Sequence, residues 1–445
     1  MGKQFMLNRA TARLEFLRDM ERVAALSRSQ LDAQILAMLP NAIAHAAHNS
    51  PLYRRTLGSL IDGGTAIESL EHLRALPFTT KDDLRAGYPF GLLAVSPDRL
   101  IRYGESTGTT GNPTSAFMTY EDWERGNVWV ERALQQVFTA KDTVFVAIPY
   151  ELAFAAYDID RALEAVGVTV VPTGTLNQVC PWERTVEMMR AVHPTGIVCT
   201  PTRALRLFDM FVSRGYDPSE VGLRVIFYTG ETCSPSKLKK IADLWKVELF
   251  TAFGATETNS LALPCQYGTL HLSEDRYLFE VVDPETSVPL SPADQGELVL
   301  TSLASEAMPL VRYRTGDIVR IDDTVCACGL PHRSIQHFGR HAERILLQGR
   351  SVLRMDVEEA ALSVPGTGSY YVLDDEPDPP EIGVEVTRRA DAQAVLTAVE
   401  NSIAKTCGIR FKALDIDKSL IAQAMDRMLK PGSLSIRHVR EQQPL

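Results

Sequence analysis

The feature that most constrains the fold is an alternation of short apolar runs with longer amphipathic segments between residues 143 and 254. Each apolar run has the length of a strand, and each intervening segment has room for a helix of about 10–15 residues. The runs are TVFVAIP (143–149), VTVVP (168–172), GIVCTP (196–201), LRVIFYTG (223–230) and VELFTAFG (247–254). Because fully apolar strands joined through helices are typical of parallel sheets with covered faces, the sequence predicts an α/β protein with parallel sheets flanked by helices.

The segments on either side of this region have different patterns. Residues 1–100 have a helical pattern. Residues 270–320 alternate apolar and polar positions, and Asp-Pro and Asp-Gln-Gly mark turns, which predicts antiparallel strands. From about residue 340 a segment with βαβ-like character continues to the end of the sequence. We therefore expect antiparallel strands after the parallel region, followed by a mixed segment with both helices and strands.

Composition excludes several classes of function. A chain of 445 residues is too long for one compact core, so two or three domains are expected. The net charge of −10, without a basic face, argues against a nucleic-acid partner. No uninterrupted apolar run reaches about 18 residues and the first residues lack the apolar core of a signal peptide, so we expect no membrane partner. Seven cysteines without a secretion signal favour a reducing compartment, and we expect a cytoplasmic enzyme.

One loop is rich in hydroxyl and glycine residues: STGTTGNPT (106–114). Its glycines permit tight turns, and its hydroxyls and backbone N–H groups can surround an anion. It is not a Walker sequence, because the Gly-Lys-Ser/Thr ending is missing, and no GxGxxG motif follows a strand. The loop therefore predicts a phosphate-binding site of another kind.

Two polar motifs follow predicted strands: YTGE (228–231) and FGATE (253–257). Ligands of α/β sheets lie at the carboxyl ends of strands, so both motifs are expected to line one crevice. Glu257 suits a divalent cation and Phe253 suits stacking on a purine, although an ordinary turn with an exposed Glu explains FGATE equally well. In YRTGD, Asp317 follows a glycine and could accept a hydrogen bond from a ribose hydroxyl, but such pairs are also common in turns.

The order of these motifs resembles the adenylate-forming superfamily, in particular its phenylacetate–CoA ligase branch, over nearly the whole chain. The matching segments are LPFTTKDDLRAGYPFGLLAV (76–95), STGTTGNPT (106–114), FGATE (253–257), EAMPLVRYRTGD (306–317) and GRHAERILLQGRSV (339–352). The resemblance implies a large N-terminal adenylate-forming domain, residues 1–340, which binds ATP and the acid, and a small mobile C-terminal domain, residues 341–445. It also implies Mg²⁺, release of pyrophosphate from ATP, and transfer of the acyl group to coenzyme A.

The resemblance also implies roles for residues that match the family motifs. Glu257 would hold Mg²⁺, Phe253 would stack on adenine, and Asp317 and Arg340 would hold the ribose. The implied catalytic residues are Thr109, Glu257 and Lys430. The implied nucleotide-binding residues are Ser106, Thr107, Gly108, Thr110, Gly111, Glu231, Phe253, Gly254, Thr256, Asp317 and Arg340.

The chain departs from the family pattern at three places. Asn112 stands where relatives carry the loop lysine, so a neutral amide replaces a positive charge near the phosphates. Ala342 stands at the usual hinge aspartate, while Glu343 keeps the next acidic position. Lys430 is the nearest candidate for the C-terminal lysine that serves adenylation in relatives, but the surrounding sequence aligns poorly. These departures predict a divergent member.

Four residues have a composition suited to zinc: Cys265 and His271 form C-x5-H, and Cys326 with Cys328 forms C-x-C. From the spacing alone, buried free thiols are the alternative. Some members of the branch carry a zinc ion with matching segments, and the resemblance therefore implies a structural zinc. His332 competes with His271 as the fourth ligand.

The segment AIPYELAFAAYD (147–158) matches the family segment that lines the acyl pocket. Tyr150, Phe154 and Tyr228 would form an aromatic wall for an aryl acid, and core packing is the alternative. Glu151 could accept a hydrogen bond from an amino or hydroxyl substituent of the substrate, or could face solvent.

The leading hypothesis is an ATP-dependent ligase that activates a phenylacetate-, benzoate- or cinnamate-like carboxylate and transfers it to coenzyme A. The second keeps adenylation but uses a nitrogen nucleophile without coenzyme A, as an amide synthetase or in nitrite activation for attack by an arylamine. Asn112, Ala342 and Glu151 motivate it. The third is an inactive nucleotide-binding homologue. The expected partners are ATP and an aryl acid or amine, and a homodimer is left open.

Overall fold

The computed structural model describes residues 2–64, 66–106, 113–175, 179–387, 391–425 and 436, with side chains described from residue 9 to residue 421 and at residue 436. The chain divides into two compact units, and each unit is built from two separate segments. The first unit contains Met1–Asn177 and Phe250–His337, and the second contains Gln178–Leu249 and Phe338–Leu445. The expected boundary between domains at residues 340 and 341 stays a prediction.

The first unit begins with helices, as the pattern of residues 1–100 predicts. Helix α2 begins with a capping box, because the Ser27 N–H donates to Gln30 Oε1 at 2.8 Å and the Gln30 N–H donates to Ser27 Oγ at 3.3 Å. The helices are α1 (Gly2–Ala24), α2 (Arg28–Asn49), α3 (Pro51–Thr56), α4 (Gly58–Asp62), α5 (Leu70–Arg74), α6 (Lys81–Ala86), α7 (Tyr120–Gln135) and α8 (Ala155–Val166).

The strands of the first unit form both parallel and antiparallel pairs. They are β1 (Leu100–Glu105), β2 (Ser115–Thr119), β3 (Thr143–Val146), β4 (Thr169–Pro172), β8 (Phe253–Ala255), β9 (Asn259–Pro264), β10 (Leu270–Leu272), β11 (Tyr277–Val282), β12 (Gly296–Ser302), β13 (Tyr313–Asp322) and β14 (Ser334–Arg340), whose last three residues belong to the second unit. Strands β3 and β4 pair in parallel. Seven strands form a sheet in the order β11-β12-β13-β14-β10-β9-β8, in which β11 and β12, β12 and β13, and β9 and β10 pair antiparallel.

The second unit continues the strand–helix alternation and then adds the C-terminal elements. Its helices are α9 (Trp182–Val192), α10 (Pro201–Ser213), α11 (Pro235–Trp245), α12 (Arg354–Leu362), α13 (Ala392–Cys407) and α14 (Lys418–Met425). Its strands are β5 (Gly196–Cys199), β6 (Val225–Tyr228), β7 (Glu248–Thr251), whose last two residues belong to the first unit, β15 (Ile345–Leu347), β16 (Arg350–Val352), β17 (Thr367–Asp374), β18 (Glu381–Val386) and β19 (Lys412–Asp415). Strands β5 and β6 pair in parallel, and the α/β prediction is confirmed.

The C-terminal part of the second unit has a hydrophobic core of its own. Val357 on α12, Val399 and Ile403 on α13, and Ile382 and Val384 on β18 are fully buried members of this core. Such a core is what a small α+β domain requires, because the apolar faces of two helices are removed from water against one sheet.

Helix α11 contacts this C-terminal part through polar groups. The backbone N–H of Ser234 donates to Glu358 Oε1 at 2.7 Å, and Lys237 Nζ lies 3.3 Å from Glu358 Oε2. Lys240 Nζ donates to the carbonyl oxygens of Thr367 and Gly368 at 2.6 and 2.8 Å. Within the described residues, no helix has both the length and the apolarity required to cross a lipid bilayer.

Candidate active site

Glu257 lies in the turn between β8 and β9 of the first unit, and its side chain is only 5% exposed. Its Oε1 accepts a hydrogen bond of 2.6 Å from the phenol of Tyr313, and Lys81 Nζ lies 4.0 Å from the same oxygen. A carboxylate that a phenol holds in place is oriented before a cation arrives, which suits a metal ligand. Tyr313 and Lys81 were not among the predicted site residues, although both lie in segments that carry the family resemblance.

The backbone of this turn depends on Gly254 and Asn259. A Cβ added to Gly254 would lie 2.1 Å from the carbonyl oxygen of Asn259, so only glycine fits there. Asn259 has a φ of 56°, which asparagine tolerates better than most residues. Its Nδ2 donates to Asp158 Oδ2 at 3.0 Å, and Asp158 Oδ1 accepts a bond of 2.6 Å from Asn127 Nδ2. This buried network ties the turn to helices α7 and α8.

Asp317, His337 and Phe253 form a second group in the same unit. His337 Nε2 lies 3.1 Å from Asp317 Oδ1, and the His337 ring lies 4.7 Å from the Phe253 ring with 31° between their planes. The three side chains come from β13, β14 and β8. The group offers flat rings for stacking on a base and a carboxylate that can accept hydrogen bonds from hydroxyls. His337 was missed by sequence reasoning, because an isolated His within a strand carries no motif.

The ends of the predicted phosphate loop are joined by hydrogen bonds between Ser106 and Thr114. The Ser106 N–H donates to the Thr114 carbonyl at 2.9 Å, while Ser106 Oγ accepts from the Thr114 N–H at 2.9 Å. The ends of the loop are therefore fixed. Six residues of the loop lie outside the described residues: Thr107, Gly108, Thr109, Thr110, Gly111 and Asn112. Lys430, the predicted C-terminal lysine, also lies outside them.

Three other predicted site residues lie in the second unit. Tyr228 ends strand β6, Arg340 ends strand β14, and both are partly buried. Glu231 Oε2 accepts a hydrogen bond of 3.0 Å from the backbone N–H of Thr202, at the beginning of α10. In the first unit, Thr256 lies beside Glu257 in the turn after β8. The roles of these four residues remain predictions.

The predicted acid-pocket residues occupy different environments. The phenol of Tyr150 donates to the carboxylate of Asp160, whose oxygens lie 2.7 and 2.8 Å away, so Tyr150 can offer its ring but not an uncommitted hydroxyl. Phe154 is buried and makes an edge contact with Trp123. Glu151 is exposed and accepts the N–H of Tyr150 at 3.1 Å. This position favours the solvent-facing alternative for Glu151, and the pocket itself remains a prediction.

The predicted zinc ligands come together in the first unit. Ligand atoms of Cys265, His271, Cys326 and Cys328 all lie within 4.8 Å of one another. Cys265 Sγ lies 3.9 Å from Cys326 Sγ, and His271 Nε2 lies 3.3 Å from Cys328 Sγ. Tetrahedral coordination with Zn–S bonds of about 2.3 Å requires sulfur–sulfur distances of about 3.8 Å. The tetrad therefore fits a zinc ion, and we refer to these four residues as the Cys3His tetrad.

The surroundings of the tetrad favour His271 over His332 as the fourth ligand. His271 Nδ1 donates to the carbonyl oxygen of His332 at 2.8 Å, which leaves His271 Nε2 for a metal. His332 Nδ1 instead accepts the backbone N–H of Glu274 at 3.3 Å. Desolvation raises the pKa of both C-x-C thiols. For Cys326, hydrogen bonds from the backbone N–H of Cys328 and from neighbouring side chains outweigh desolvation and lower its pKa to about 6.

Comparison with known proteins identifies the family. A model of the AMP-binding enzymes matches residues 93–304. A phenylacetate–coenzyme A ligase of Thermus thermophilus is 32% identical over 356 residues, which cover 78% of this chain and 79% of the relative. The chain belongs to the phenylacetate–CoA ligase branch of the adenylate-forming superfamily. It is therefore an ATP-dependent, AMP-forming ligase, as the motif order predicts.

Two further comparisons agree with this membership. A phenylacetate–coenzyme A ligase of Pseudomonas putida is 30% identical over 361 residues, 79% of each chain. A crystal structure of a 2-hydroxyisobutyryl-CoA ligase in the postadenylation state has a TM-score of 0.79, with 20% identity, over 89% of this chain and 88% of that one. The structural match shows the shared fold of an adenylate-forming ligase. Both comparisons extend well beyond residues 93–304.

Proposed function

We propose that this ligase activates an aryl carboxylate as an acyl-adenylate, releases pyrophosphate, and transfers the acyl group to the thiol of coenzyme A. The names of the relatives, phenylacetate–coenzyme A ligases, support both the aryl acid and the acceptor. The aromatic residues Tyr150 and Phe154 in the segment expected to line the acyl pocket are consistent with a flat substrate. Transfer to coenzyme A follows attack of its sulfur on the acyl carbon, with AMP as the leaving group.

The observation that carries the proposal is the oriented carboxylate of Glu257 beside Tyr313. Glu257 would hold Mg²⁺, which supplies charge neutralisation for the phosphates during attack of the carboxylate on the α-phosphorus. Asp317 would accept hydrogen bonds from ribose hydroxyls, and the rings of Phe253 and His337 would stack on adenine. Because phosphoryl chemistry depends mostly on positioning and charge, these residues support the first half-reaction without a covalent enzyme intermediate.

We also propose that the Cys3His tetrad binds a structural zinc ion. Its four side chains complete a tetrahedral set, so no coordination position is left for substrate. The zinc would join the β9–β10 hairpin, which carries Cys265 and His271, to the loop with Cys326 and Cys328. The zinc ion would thus stabilise the first unit and take no part in the reaction.

The decisive experiment measures pyrophosphate release with ATP, Mg²⁺ and a panel of phenylacetate, benzoate and cinnamate, and identifies products by mass spectrometry. Turnover that requires coenzyme A and yields a thioester is expected. Release that requires an amine or nitrite, without a thioester, would replace the proposal with the nitrogen-nucleophile alternative. Absence of release over a broad panel of acids would favour the inactive homologue.

The first prediction concerns Glu257→Gln, which keeps the size of the side chain but removes its charge. We expect pyrophosphate release to fall at least 100-fold, because a neutral amide is a poor Mg²⁺ ligand. The matched control is Glu285→Gln at an exposed position, which should retain full activity. Full activity of Glu257→Gln would remove Glu257 from the metal site.

A further inference from the structure

A cavity of about 140 Å³ lies beside the Cys3His tetrad in the first unit. Three tetrad residues, Cys265, His271 and Cys328, line it, and its other walls include six apolar residues: Trp129, Ala133, Leu263, Pro264, Leu272 and Leu330. An apolar cavity of about 150 Å³ is large enough to bind benzene. Space for one aromatic ring is therefore present. Exposed Gln136 and Gln266 also line the cavity, so it reaches the surface of the unit.

His332, which lines this cavity, carries a buried hydrogen-bond donor. His332 is only 5% exposed, and its Nδ1 accepts the backbone N–H of Glu274. Because Nδ1 accepts this bond, the neutral imidazole carries its hydrogen on Nε2. In the described part of the chain, no hydrogen-bond acceptor meets this Nε2. A buried donor without an acceptor is unfavourable, so a ligand that accepts the bond would gain affinity.

A positive charge lies in the same wall. Arg132 is partly buried on α7, one turn after Trp129 and beside Ala133. Among the described residues, no carboxylate forms an ion pair with Arg132, whereas Arg13, Arg28 and Arg161 all have such partners. A guanidinium presents a planar fork of donors that matches a carboxylate. An available guanidinium next to an apolar wall selects a molecule with an anionic end and a flat apolar end.

The cavity wall is also held in place before a ligand binds. The Trp129 indole donates to Asp275 Oδ2 at 2.6 Å, and the ring makes an edge contact with His332 at a centroid distance of 5.0 Å. His332 is fixed in turn, because its carbonyl oxygen accepts the Nδ1–H of His271. A wall whose side chains are fixed loses little entropy on binding.

We propose that this cavity is a binding site for a monocyclic aromatic carboxylate, separate from the adenylation site at Glu257. The ring would lie against Trp129 and Leu263, and the carboxylate would accept hydrogen bonds from Arg132 and His332. The ligand class follows from the cavity alone and goes beyond the proposed function. A ligase of aryl acids would then have a second site for the same chemical class as its substrate.

The test observes Trp129 directly, in the full-length protein with its bound metal. The protein is labelled with 5-fluorotryptophan, and the ¹⁹F resonance of Trp129, one of four tryptophans, is assigned from Trp129→Phe. Benzoate is the probe, and benzyl alcohol is the uncharged comparison. We expect a saturable shift of the Trp129 resonance with benzoate and at least tenfold weaker binding of benzyl alcohol.

Two variants decide the outcome. Arg132→Met should weaken benzoate binding at least tenfold, and its matched control is Lys141→Met, which removes one exposed positive charge outside the cavity. Ala133→Leu fills the cavity and should abolish the shift. Thermal unfolding checks that both variants are folded, and Glu257→Gln separates this site from the proposed active site because it should leave the shift intact. No shift with the wild-type protein, or equal shifts in all variants, would overturn the proposal.

Discussion

At the scale of single residues, the candidate active site depends on partners that hold the functional groups. The carboxylate of Glu257 lies in a turn. The phenol of Tyr313 holds it by a hydrogen bond, and the ammonium of Lys81 lies close enough to compensate its charge. His337 likewise holds two predicted site residues: it forms a hydrogen bond with Asp317 and a ring contact with Phe253. The sequence motifs contain the groups that would meet the ligand, while the groups that orient them come from other strands.

Tyr313→Phe tests the orienting role of the phenol. The substitution removes one hydrogen bond to a charged carboxylate, and such bonds contribute about 1.5–3 kcal/mol. We expect the Mg²⁺ concentration for half-maximal pyrophosphate release to rise about tenfold or more, since 1.4 kcal/mol corresponds to a factor of ten. Tyr267→Phe, at an exposed position, should leave the Mg²⁺ dependence unchanged. An unaltered Mg²⁺ titration for Tyr313→Phe would contradict the role.

These partners illustrate what sequence reasoning can reach. Glu257 and Asp317 were predicted because each follows a glycine-containing turn in a recognised motif. Tyr313 and His337 were not, because their contacts depend on the order and register of strands in a seven-stranded sheet, in which β10 and β9 separate β13 and β14 from β8. Local sequence does not encode that register. The commitment of the Tyr150 hydroxyl to Asp160 was missed for a related reason, since the two residues are brought together by the turn into α8.

At the scale of elements, helix α8 and the β8–β9 turn are connected by a buried carboxylate. Asp158 is 1% exposed and accepts hydrogen bonds from Asn127 on α7 and Asn259 in the turn. Phe154, a predicted acid-pocket residue, immediately precedes the same helix. The connection therefore fixes the turn that carries Glu257 relative to the segment expected to contact the acid.

Exchange of the two hydrogen-bonding partners tests this connection. Asp158→Asn places an amide opposite the amide of Asn259, and we expect a weaker response to Mg²⁺ by about tenfold, from the loss of about 1.5 kcal/mol. The double variant Asp158→Asn with Asn259→Asp restores a donor and an acceptor, and asparagine and aspartate both tolerate the φ of 56° at residue 259. It should recover most of the Mg²⁺ response. If the double variant is folded but does not recover the Mg²⁺ response, the hydrogen bonds of Asp158 do not position the turn and the network contributes only to packing.

The Cys3His tetrad is a second connection between elements, and metal analysis tests it. We expect one zinc ion per wild-type chain and none in Cys265→Ser. The melting temperature should fall by more than about 2–4 °C, because loss of the metal removes more than 1 kcal/mol and each 1 kcal/mol shifts the melting temperature by about 2–4 °C in a domain of 150–250 residues. Cys233→Ser, outside the tetrad, should retain the metal. A full zinc content in Cys265→Ser would remove this residue from the ligand set.

At the scale of the whole molecule, each compact unit is built from segments that are distant in sequence. The strand–helix alternation was predictable, because apolar periodicity is local. The grouping of residues 178–249 with residues 338–445 was not, because it depends on polar contacts such as Lys237 with Glu358. Burial opposes the charge on Lys237, but Glu358 raises its pKa above the usual value.

Glu358→Gln tests this ion pair within the second unit. Removal of one partner of a buried pair leaves an uncompensated charge and costs about 3–5 kcal/mol. We expect faster hydrogen exchange in peptides covering α11 and α12, with little change in the first unit. Glu248→Gln, which is exposed, serves as the control. Unchanged exchange in both helices would show that the pair does not stabilise the unit.

The interrupted arrangement of the two units has a consequence for synthesis on the ribosome. The first unit lacks β8 to β14 until residues 250–337 have been made, and residues 178–249 must be translated in between. At about 5–20 residues per second, those intervening residues occupy about 4–14 s. For that interval, helices of the first unit such as α7 keep apolar surface exposed, because strands such as β9 that cover it have not yet been translated. Chaperone demand during expression should therefore depend on translation speed between residues 178 and 337.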